Sequence, residues 1–591
     1  MNGAGSAKRP VVVHLRAGSE ALARDVAAAI DGDLHCSIGN VADALRAFFQ
    51  GGRPIVGIMS SGILVRALAP LIAEKQEEPP VLSVAWDGSA VIPLLGGHRG
   101  GNALAGRIAE TIGAFPAVST ASDLAHGVAL DDPPKGYVLR NIEHYKSFAA
   151  RVLDGEPVRI TGDAPWLSAL PQSPDGDLEI VVTDREIEGS PTRLVYHTAT
   201  LAIGVGCERG TERHEVQGLI EKSLERHGLS WHGVGGIASI DVKADEPAMV
   251  ELGYFRFFPA DELNAVTGRV KNPSEIVRRE VGTPSVAEAA ALCAAGPDGE
   301  LIVEKTKSAR ATCAIARAPE PIVEQRGRAR GALRVVGLGP GSEAMRSPEA
   351  THALSGATDW VGYGLYLDLA SDLRTHQTEH RFPLGAEEER VIHALELAGR
   401  GKDVALLCSG DAGIYAMAAL ALEVLDPDSG AKLSDAARRV EVSVVPGISA
   451  FQMAAARAGG FIGHDFCCIS LSDLLTPWEA IETRIRGAAE GDFVVAFYNP
   501  RSLKRADHLD RAMAILKEHR PADTPVVVAS NLGRSDEKVG IVPLRSFDAG
   551  VIDMLTIVLV GSSQSRSFAR GDGTVRAYTP RGYARKRGAS A

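Results

Sequence analysis

Short apolar runs alternate with stretches of helical periodicity along most of the chain, and this alternation limits the folds open to it. The run VVVHL at 11–15 precedes EALARDVAAAI, PIVGIM at 54–59 precedes SSGILVRALAPLIAEK, and VLSVAWDG occupies 81–88. An apolar run followed by an amphipathic stretch is typical of a βαβ unit. We therefore predict an α/β fold with parallel sheets. A chain of 591 residues is too long for one core, so several domains are expected.

Changes in composition predict where these domains begin and end. An α/β domain is expected over 9–125, a small middle domain over 126–198 and a second α/β domain over 199–318. Residues 319–332, PEPIVEQRGRARGA, are rich in proline and arginine and have no apolar period, which indicates a linker. The last α/β block covers 333–580.

Composition also excludes several classes of protein. No uncharged apolar run reaches the roughly 18–20 residues of a membrane-spanning helix, and we recognise no signal peptide, so no membrane partner is expected. The seven cysteines are scattered and form no CxxC, so we expect no metal site and a cytoplasmic location. A net charge of −11 argues against nucleic acid as a partner.

The motif GLGPG at 337–341 directly follows the predicted strand LRVV. A glycine-rich turn after a strand lets the backbone approach a ligand closely. A dinucleotide site is the alternative interpretation, and Asp359 has the spacing of a ribose-binding acid. That fingerprint needs a third glycine where this chain has Ser342.

Five further predicted strands in this block end in small or polar residues. They occur in LLCSGDAGIY (406–415), VSVVPGISAFQMAAARAG (442–459), DFVVAFYNPRS (492–502), PVVVASNLGRSDE (525–537) and MLTIVLVGSSQS (554–565). Ligands of α/β proteins bind outside the carboxyl ends of the strands. The series therefore predicts one binding site formed by several turns.

These motifs, together with YGLYLDL and GHDFCCISLSDLLTPW, resemble the tetrapyrrole methylase family, and within it the precorrin-3B C(17)-methyltransferase branch. The resemblance covers essentially all of 333–580. It implies two α/β subdomains with S-adenosyl-L-methionine in the cleft between them, a small-molecule tetrapyrrole substrate and a homodimer through this domain. Carried over by motif, the cofactor residues are Gly339, Pro340, Ser409, Gly410, Asp411, Ile414, Ser449, Ala450, Asn499, Gly533 and Thr556. Many relatives have proline where this chain has Ala412.

The methyl transfer that the resemblance implies depends mainly on how donor and acceptor are positioned, because the methyl group of a sulfonium is already activated. The family reaction also contracts the macrocycle, and this step needs a base that takes a proton from a hydroxyl. His464 of the GHDF motif is our candidate base, and Asp465 would orient it. The alternative is that His464 caps a strand or bonds a backbone carbonyl.

The first half resembles the cobalamin-biosynthesis family that opens the lactone of cobalt-precorrin-5A and releases acetaldehyde. SSGILVRALAPLIAEK and VAWDGSAVIPLLGGHRGGNALAGRIA are similar to its N-terminal domain, across roughly 50–125. IGVGCERGTERHEV, VGTPSVAEAAALCAAG and VEKTKSARATCAIA are similar to its C-terminal domain, across 200–318. The resemblance implies an enzyme that fuses two steps of corrin synthesis. The alternative is a first half that binds corrinoids without catalysis.

Ester hydrolysis needs an activated water and a holder for the developing oxyanion. The glycine-rich loop GGHRGGN at 96–102 is the candidate, with His98 as base and Arg99 as a carboxylate holder. A structural turn is the alternative for this loop. Asp87 is a second acid/base candidate. Charged residues at later turns could hold substrate carboxylates: Glu208, Arg209, Lys243, Glu246 and Lys305 with Thr306.

Overall fold

The computed structural model describes residues 9–15, 17–36, 40–73, 78–118, 128–501 and 507–583, without the side chains of Ala17 and His98. The chain forms two compact units, Met1–Arg328 and Ala329–Ala591. The unit boundary lies inside the segment that the sequence predicts to be a linker. No helix in the described ranges has the length and apolar character needed to span a bilayer.

The first unit begins with a six-stranded sheet in the order β2-β1-β3-β4-β5-β6. Its strands are β1 (Val11–His14), β2 (Asp33–Cys36), β3 (Ile55–Ile58), β4 (Val81–Val84), β5 (Ala90–Leu95) and β6 (Phe115–Pro116). Its helices are α1 (Glu20–Ile30), α2 (Val41–Gln50), α3 (Ser61–Leu68) and α4 (Gly101–Ile112). The predicted strands and helices are present, but β5 runs antiparallel to β4, so the sheet is mixed rather than parallel.

Two further sheets complete the first unit. The middle sheet has the order β7-β10-β9-β8 and one helix beside it: β7 (Tyr137–Leu139), α5 (Tyr145–Leu153), β8 (Val158–Thr161), β9 (Leu178–Thr183) and β10 (Arg193–Thr198). The third sheet has the order β13-β12-β11-β15-β14. Its elements are β11 (Leu201–Cys207), α6 (Arg213–Arg226), β12 (Val234–Ile240), α7 (Pro247–Leu252), β13 (Phe255–Phe258), α8 (Ala260–Ala265), α9 (Glu275–Val281), α10 (Ala287–Ala295), β14 (Glu300–Lys307) and β15 (Ala311–Arg317).

The second unit starts with a five-stranded parallel sheet in the order β18-β17-β19-β16-β20. Its elements are β16 (Ala332–Gly337), α11 (Pro348–Gly356), β17 (Asp359–Tyr363), α12 (Gly364–Asp368), β18 (Thr378–Phe382), α13 (Glu387–Gly399), β19 (Asp403–Cys408), α14 (Met417–Leu425) and β20 (Glu441–Val445). The central strands β16 and β19 are buried almost throughout, because helices cover both faces of such a sheet.

A second large sheet in this unit has the order β22-β23-β26-β24-β25, and a small one has the order β21-β28-β27. The elements are α15 (Ala450–Ala458), β21 (Gly459–Gly460), β22 (Phe466–Ser470), α16 (Trp478–Glu490), β23 (Val494–Tyr498), α17 (His508–His519), β24 (Pro525–Ser530), β25 (Lys538–Pro543), β26 (Thr556–Val560), β27 (Arg566–Ala569) and β28 (Val575–Tyr578). Strand β26 runs antiparallel to both of its neighbours, β23 and β24.

Candidate functional site

Three turns follow β16, β19 and β20 and lie together at the carboxyl edge of the parallel sheet. They are the GLGPG turn (337–341), the SGD turn (409–413) and the PGIS turn (446–450). Gly339 and Gly410 exchange two backbone hydrogen bonds, of 3.1 and 2.8 Å. A Cβ atom on Gly447 would lie 2.2 Å from the carbonyl oxygen of Gly410, so the approach requires glycine. The three turns therefore form one continuous surface.

Asp411 connects two of these turns through its carboxylate. Its Oδ1 atom accepts the N–H of Gly413 at 2.8 Å, and its Oδ2 atom accepts the N–H of Gly447 at 3.0 Å. Both oxygens are thus used to hold backbone, and the side chain acts as a clamp between the SGD turn and the PGIS turn. We interpret Asp411 as a residue that positions the site.

Helix α15 begins at the end of the PGIS turn. Ser449, which is only 1% exposed, is its N-cap, and its N–H donates to Oε1 of Gln452 at 2.9 Å in a capping box. The box fixes the entry of the helix, so that Ala450 starts the first turn. Ser449 and Ala450 are thereby held beside the SGD turn.

The second large sheet contributes the other cofactor candidates. Asn499 directly follows β23, and its Nδ2 atom donates to Oγ of Ser470 at 3.0 Å. The NLGR turn (531–534) follows β24, and a Cβ atom on Gly533 would lie 3.2 Å from the amide nitrogen of Gly341. Thr556 begins β26 next to the end of β24. The candidates Gly339, Pro340, Ser409, Gly410, Asp411, Ile414, Ser449, Ala450, Asn499, Gly533 and Thr556 all lie in or beside these turns.

One of the five predicted turns lies elsewhere. Because β26 is antiparallel to β24, its first residue and not its last reaches the carboxyl edge of β24. The segment GSSQS after β26 lies at the opposite edge, where Ser563 Oγ donates to Asp492 at 2.7 Å. The sequence prediction that MLTIVLVGSSQS presents its carboxyl end to the ligand is wrong for this strand, while Thr556 at its start stays a candidate.

Two tyrosines that the sequence reasoning missed join the two large sheets of this unit. Tyr415, in the backbone just after the SGD turn, has a φ of +50°, and its hydroxyl donates to the carbonyl of Cys468 at 2.9 Å. Its ring lies 5.1 Å from that of Tyr498, whose hydroxyl is 3.5 Å from the amide of Phe451. Burial raises the pKa of Tyr498 to about 12, so its hydroxyl stays neutral.

Backbone strain is concentrated around the same turns. Five non-glycine residues of the described chain have a positive φ, and three of them are Tyr415, Asn499 and Asn531. Such backbone is disfavoured for residues with a side chain, and it recurs at ligand sites. Asn499 and Asn531 can be found from the sequence, because each directly follows a predicted strand and asparagine tolerates this conformation. The sequence gives no such reason to single out Tyr415.

His464 and Asp465 lie away from these turns. Strand β22 pairs in parallel with β23, so Asn499 follows the end of the pair whereas His464 precedes its start. At about 3.3 Å per residue this separates the two by roughly 20 Å along the strands. His464 is 61% exposed, and its Nδ1 atom lies 3.0 Å from Asp465 Oδ2. The placement does not support the prediction that His464 is a base beside the cofactor candidates.

Asp359 also lies at the wrong edge for the alternative dinucleotide site. It is the first residue of β17, at the amino end of the parallel sheet, and is 2% exposed. Its carboxylate binds His380 Nε2 at 2.9 Å and Lys402 Nζ at 3.3 Å. A ribose held at the GLGPG turn, at the carboxyl edge, is out of its reach. The geometry argues against the dinucleotide interpretation.

In the first unit, the two candidate sites for ester hydrolysis lie at opposite edges of the first sheet. Asp87 is in the hairpin between β4 and β5, whereas the loop 96–102 follows β5, and Leu95 pairs with Val81 at the start of β4. Hydrogen bonds from the hydroxyl and amide of Ser89 lower the pKa of Asp87, which makes it a weaker base. Asp87 and His98 therefore belong to different places in the fold.

Close packing requires glycine at two positions of the 96–102 loop, Gly96 and Gly101. A Cβ atom on Gly96 would lie 2.8 Å from the Cα of Pro80, and one on Gly101 would lie 2.7 Å from the carbonyl of Gly96. The amide of Gly100 donates to Asp132 Oδ2 at 3.1 Å, so it is already occupied. These contacts favour the structural interpretation of the loop. The side chain of His98 lies outside the described residues.

The charged candidates of the third sheet are occupied within the protein. Lys243 Nζ lies 3.3 Å from Oε2 of Glu246, which is fully buried, and Arg209 binds Asp245 at 2.7 Å. Lys305 Nζ donates to the carbonyl of Asn272 at 2.6 Å. Glu208 pairs with Arg310, and Thr306 bonds Ser223 and Cys313. These residues stabilise their own loops, and the geometry does not favour a role in gripping substrate carboxylates.

Three family models match separate parts of the chain. The family model for tetrapyrrole (corrin/porphyrin) methylases matches residues 332–548. The models for the cobalamin synthesis G N-terminal region and the cobalamin synthesis G C-terminus match residues 43–123 and 201–316. The N-terminal and C-terminal models match on either side of the middle sheet.

Curated relatives match the part of the chain that forms the second unit. A probable cobalt-factor III C(17)-methyltransferase of Salmonella typhimurium is 44% identical over 251 residues, which are 42% of this chain and 99% of the relative. A precorrin-3B C(17)-methyltransferase of Sinorhizobium sp is 41% identical over 254 residues, 43% of this chain and 98% of the relative. A crystal structure of the methyltransferase CobJ is 40% identical and covers 42% of this chain and 100% of its own, with a TM-score of 0.39.

Proposed function

The chain belongs to the tetrapyrrole methylase family through its second unit, and on that basis we propose that this unit methylates C-17 of precorrin-3B, or of its cobalt counterpart, and contracts the macrocycle. Near-complete coverage of two relatives with this named activity, at above 40% identity, is the observation that carries the proposal. The chain therefore acts in cobalamin biosynthesis.

The residues at the turns fit S-adenosylmethionine, the donor that tetrapyrrole methylases use. When bound, it supplies a methyl group that a sulfonium has already activated. The turns offer backbone N–H and C=O groups and the uncharged side chains of Ser409, Ser449 and Asn499. A Cβ atom on Gly410 would meet its nearest neighbour, Ser449 Cα, at 3.9 Å, so this face of the SGD turn is open. Donors and acceptors of this kind can hold an adenosyl group and an amino acid without a strong base.

The residues of the chain act by positioning in this proposal. Asp411 holds the SGD and PGIS turns together, and Tyr415 ties the first of them to β22, so the donor and the carbon to be methylated meet in a fixed geometry. Because Tyr498 is neutral, it adds no negative charge that would pair with the sulfonium. Ring contraction still requires a proton acceptor, and His464 with Asp465 remains a sequence prediction for that step.

Incubation of the full chain with S-adenosylmethionine and precorrin-3B, or cobalt-factor III, tests the proposal. Mass spectrometry should show the gain of one methyl group in the tetrapyrrole and the conversion of the cofactor to S-adenosylhomocysteine. Neither product would form if the unit only bound corrinoids. In the same assay, His464→Ala should leave methyl addition intact, and loss of the contracted product alone would assign the base to His464.

For the first unit, which the two cobalamin synthesis G models match in part, we propose opening of the lactone of cobalt-precorrin-5A, the activity that its sequence resemblance implies. A non-catalytic corrinoid-binding module is the second candidate, favoured by the occupied Gly100 amide and the weakened base at Asp87. Trapping of acetaldehyde after incubation with cobalt-precorrin-5A separates the two. Release of acetaldehyde supports the hydrolase, and binding of the substrate without acetaldehyde supports the carrier.

Two further expectations concern the oligomeric state of the chain and its place in the cell. A homodimer through the second unit and a place in the cytoplasm are the expectations from the sequence. Analytical ultracentrifugation of the full chain and of residues 329–591 should give twice the respective chain mass. A monomer in both samples would contradict the dimer.

A further inference from the structure

Two arginines beside the GLGPG and SGD turns have few partners for their guanidinium groups. Arg390, in the first turn of α13, is 2% exposed, and its side chain has one polar contact among the described residues, Glu387 Oε1 at 3.3 Å. Its Nε atom is buried and makes no hydrogen bond. A buried guanidinium with donors left over is costly, because water no longer satisfies them.

Arg534 closes the NLGR turn and approaches the same place from the other sheet. A Cβ atom on Gly341 would lie 3.0 Å from Cγ and 3.2 Å from Nε of Arg534, so the side chain lies directly against the GLGPG turn. Its Nε atom is also buried without a partner, and within the described chain the guanidinium makes no ion pair or hydrogen bond. Arg534 thus brings to this turn a positive charge that has no ion-pair partner among the described residues.

Tyr366 packs against the apolar cluster that contains Leu338 of the GLGPG turn and Leu407 of β19. Burial raises the pKa of its hydroxyl, whereas the positive charges of Arg390 and Arg534 act in the opposite direction. Arg390 acts in the same way on Cys408, the last residue of β19, which directly precedes the SGD turn. Helix α13 is joined to β19 by a short turn and packs against it, so Arg390 in its first turn lies toward the carboxyl end of β19. Arg534 lies against Gly341, which follows β16.

We propose that Arg390, Arg534 and the hydroxyl of Tyr366 form a binding site for a carboxylate of a ligand held at these turns. A guanidinium presents a planar fork of donors that matches a carboxylate. A bound carboxylate would accept hydrogen bonds from N–H groups of these arginines that have no partner within the protein. The inference rests on the proposed function, which brings two sources of carboxylate. These are the amino-acid end of S-adenosylmethionine and the acidic side chains of the tetrapyrrole.

Direct binding to the full chain tests the site without relying on turnover. The probes are S-adenosylhomocysteine, methylthioadenosine, which lacks the amino-acid carboxylate, and uroporphyrin III, a tetrapyrrole with many carboxylates. The variants are Arg534→Gln and Arg390→Gln. The matched control is Arg545→Gln, an exposed arginine of the same unit that pairs with Asp523. Thermal unfolding reports whether each variant is folded, and if Arg390→Gln is not, Arg534→Gln decides.

Loss of one charged hydrogen bond should weaken binding by about tenfold or more. If uroporphyrin III alone loses affinity, the site takes a substrate carboxylate. If S-adenosylhomocysteine loses affinity while methylthioadenosine does not, it takes the cofactor carboxylate. Unchanged affinity for both carboxylate probes in folded Arg534→Gln, or equal losses in the control, would overturn the proposal. Methyl transfer by the unaltered chain is scored separately, so a failed carboxylate site and a failed function give different results.

Discussion

At the scale of single residues, Asp411 is a motif residue whose carboxylate holds the backbone of two turns. Its two oxygens accept the amides of Gly413 and Gly447, and both bonds are lost in Asp411→Ala. We expect the variant to bind S-adenosylhomocysteine more weakly by about 1–3 kcal/mol, because two turns of the site lose their clamp. Asp411→Asn keeps one acceptor and should lose less. Equal affinity of Asp411→Ala and the unaltered chain in calorimetry would mean that the turns hold their shape unaided.

Tyr415 is the residue whose role is hardest to find in the sequence. Its hydroxyl bond to Cys468 links the SGD turn to β22, and its positive φ is held by the surrounding structure. Tyr415→Phe should raise the KM for S-adenosylmethionine by about threefold to tenfold, the worth of one neutral hydrogen bond, with little change in melting temperature. Tyr578→Phe, a change at the end of the central strand of the small sheet, is the control. Identical KM values in both variants would contradict a positioning role.

At the scale of elements, strand β18 and helix α13 meet through a pair of histidines. His380 Nδ1 lies 2.9 Å from His393 Nε2, and His380 Nε2 binds Asp359. Burial and then the charge of His380 lower the pKa of His393 below its ordinary value of 6.5. The unfolded chain therefore binds this proton more readily, and stability should fall as the pH drops below about 6.5. The loss of melting temperature between pH 7.5 and 5.5 should be smaller in His393→Gln, and an equal loss would exclude this pair as a source.

Strand direction is where the sequence was least informative. The apolar runs placed β1, β3, β4, β16 and β19 correctly, because each is a short buried strand. The antiparallel hairpin of β4 and β5 did leave a signal, the Asp87-Gly88 pair between two apolar runs, which a stricter use of turn chemistry would have found. The antiparallel course of β26 left none, because its direction depends on long-range pairing with β24. The motifs indicated the cofactor candidates, whereas the tyrosines that link the two large sheets and the arginines beside the turns were found only in the structure.

At the scale of the whole molecule, the segment predicted as a linker is ordered, and the boundary between the two units lies within it. The amide of Ile322 donates to the carbonyl of Ala199 and Arg328 pairs with Phe257, whereas Arg330 donates to the carbonyl of Arg439 in the second unit. Separate expression of 1–328 and 329–591 should give two folded fragments, with methyl transfer by the second within about twofold of the full chain. The fragment 1–318 should melt at a lower temperature than 1–328, because it lacks these contacts. Unfolded 329–591 would show that the units depend on each other.

The proposed reaction places a methyl group on one particular carbon of a corrin precursor. Its most direct test uses S-adenosylmethionine labelled with ¹³C in the methyl group, precorrin-3B and the full chain, with NMR of the isolated product. We expect one labelled methyl group, bonded to C-17 of a contracted ring. A label on any other ring carbon, or an unlabelled tetrapyrrole recovered from a folded protein, would contradict it.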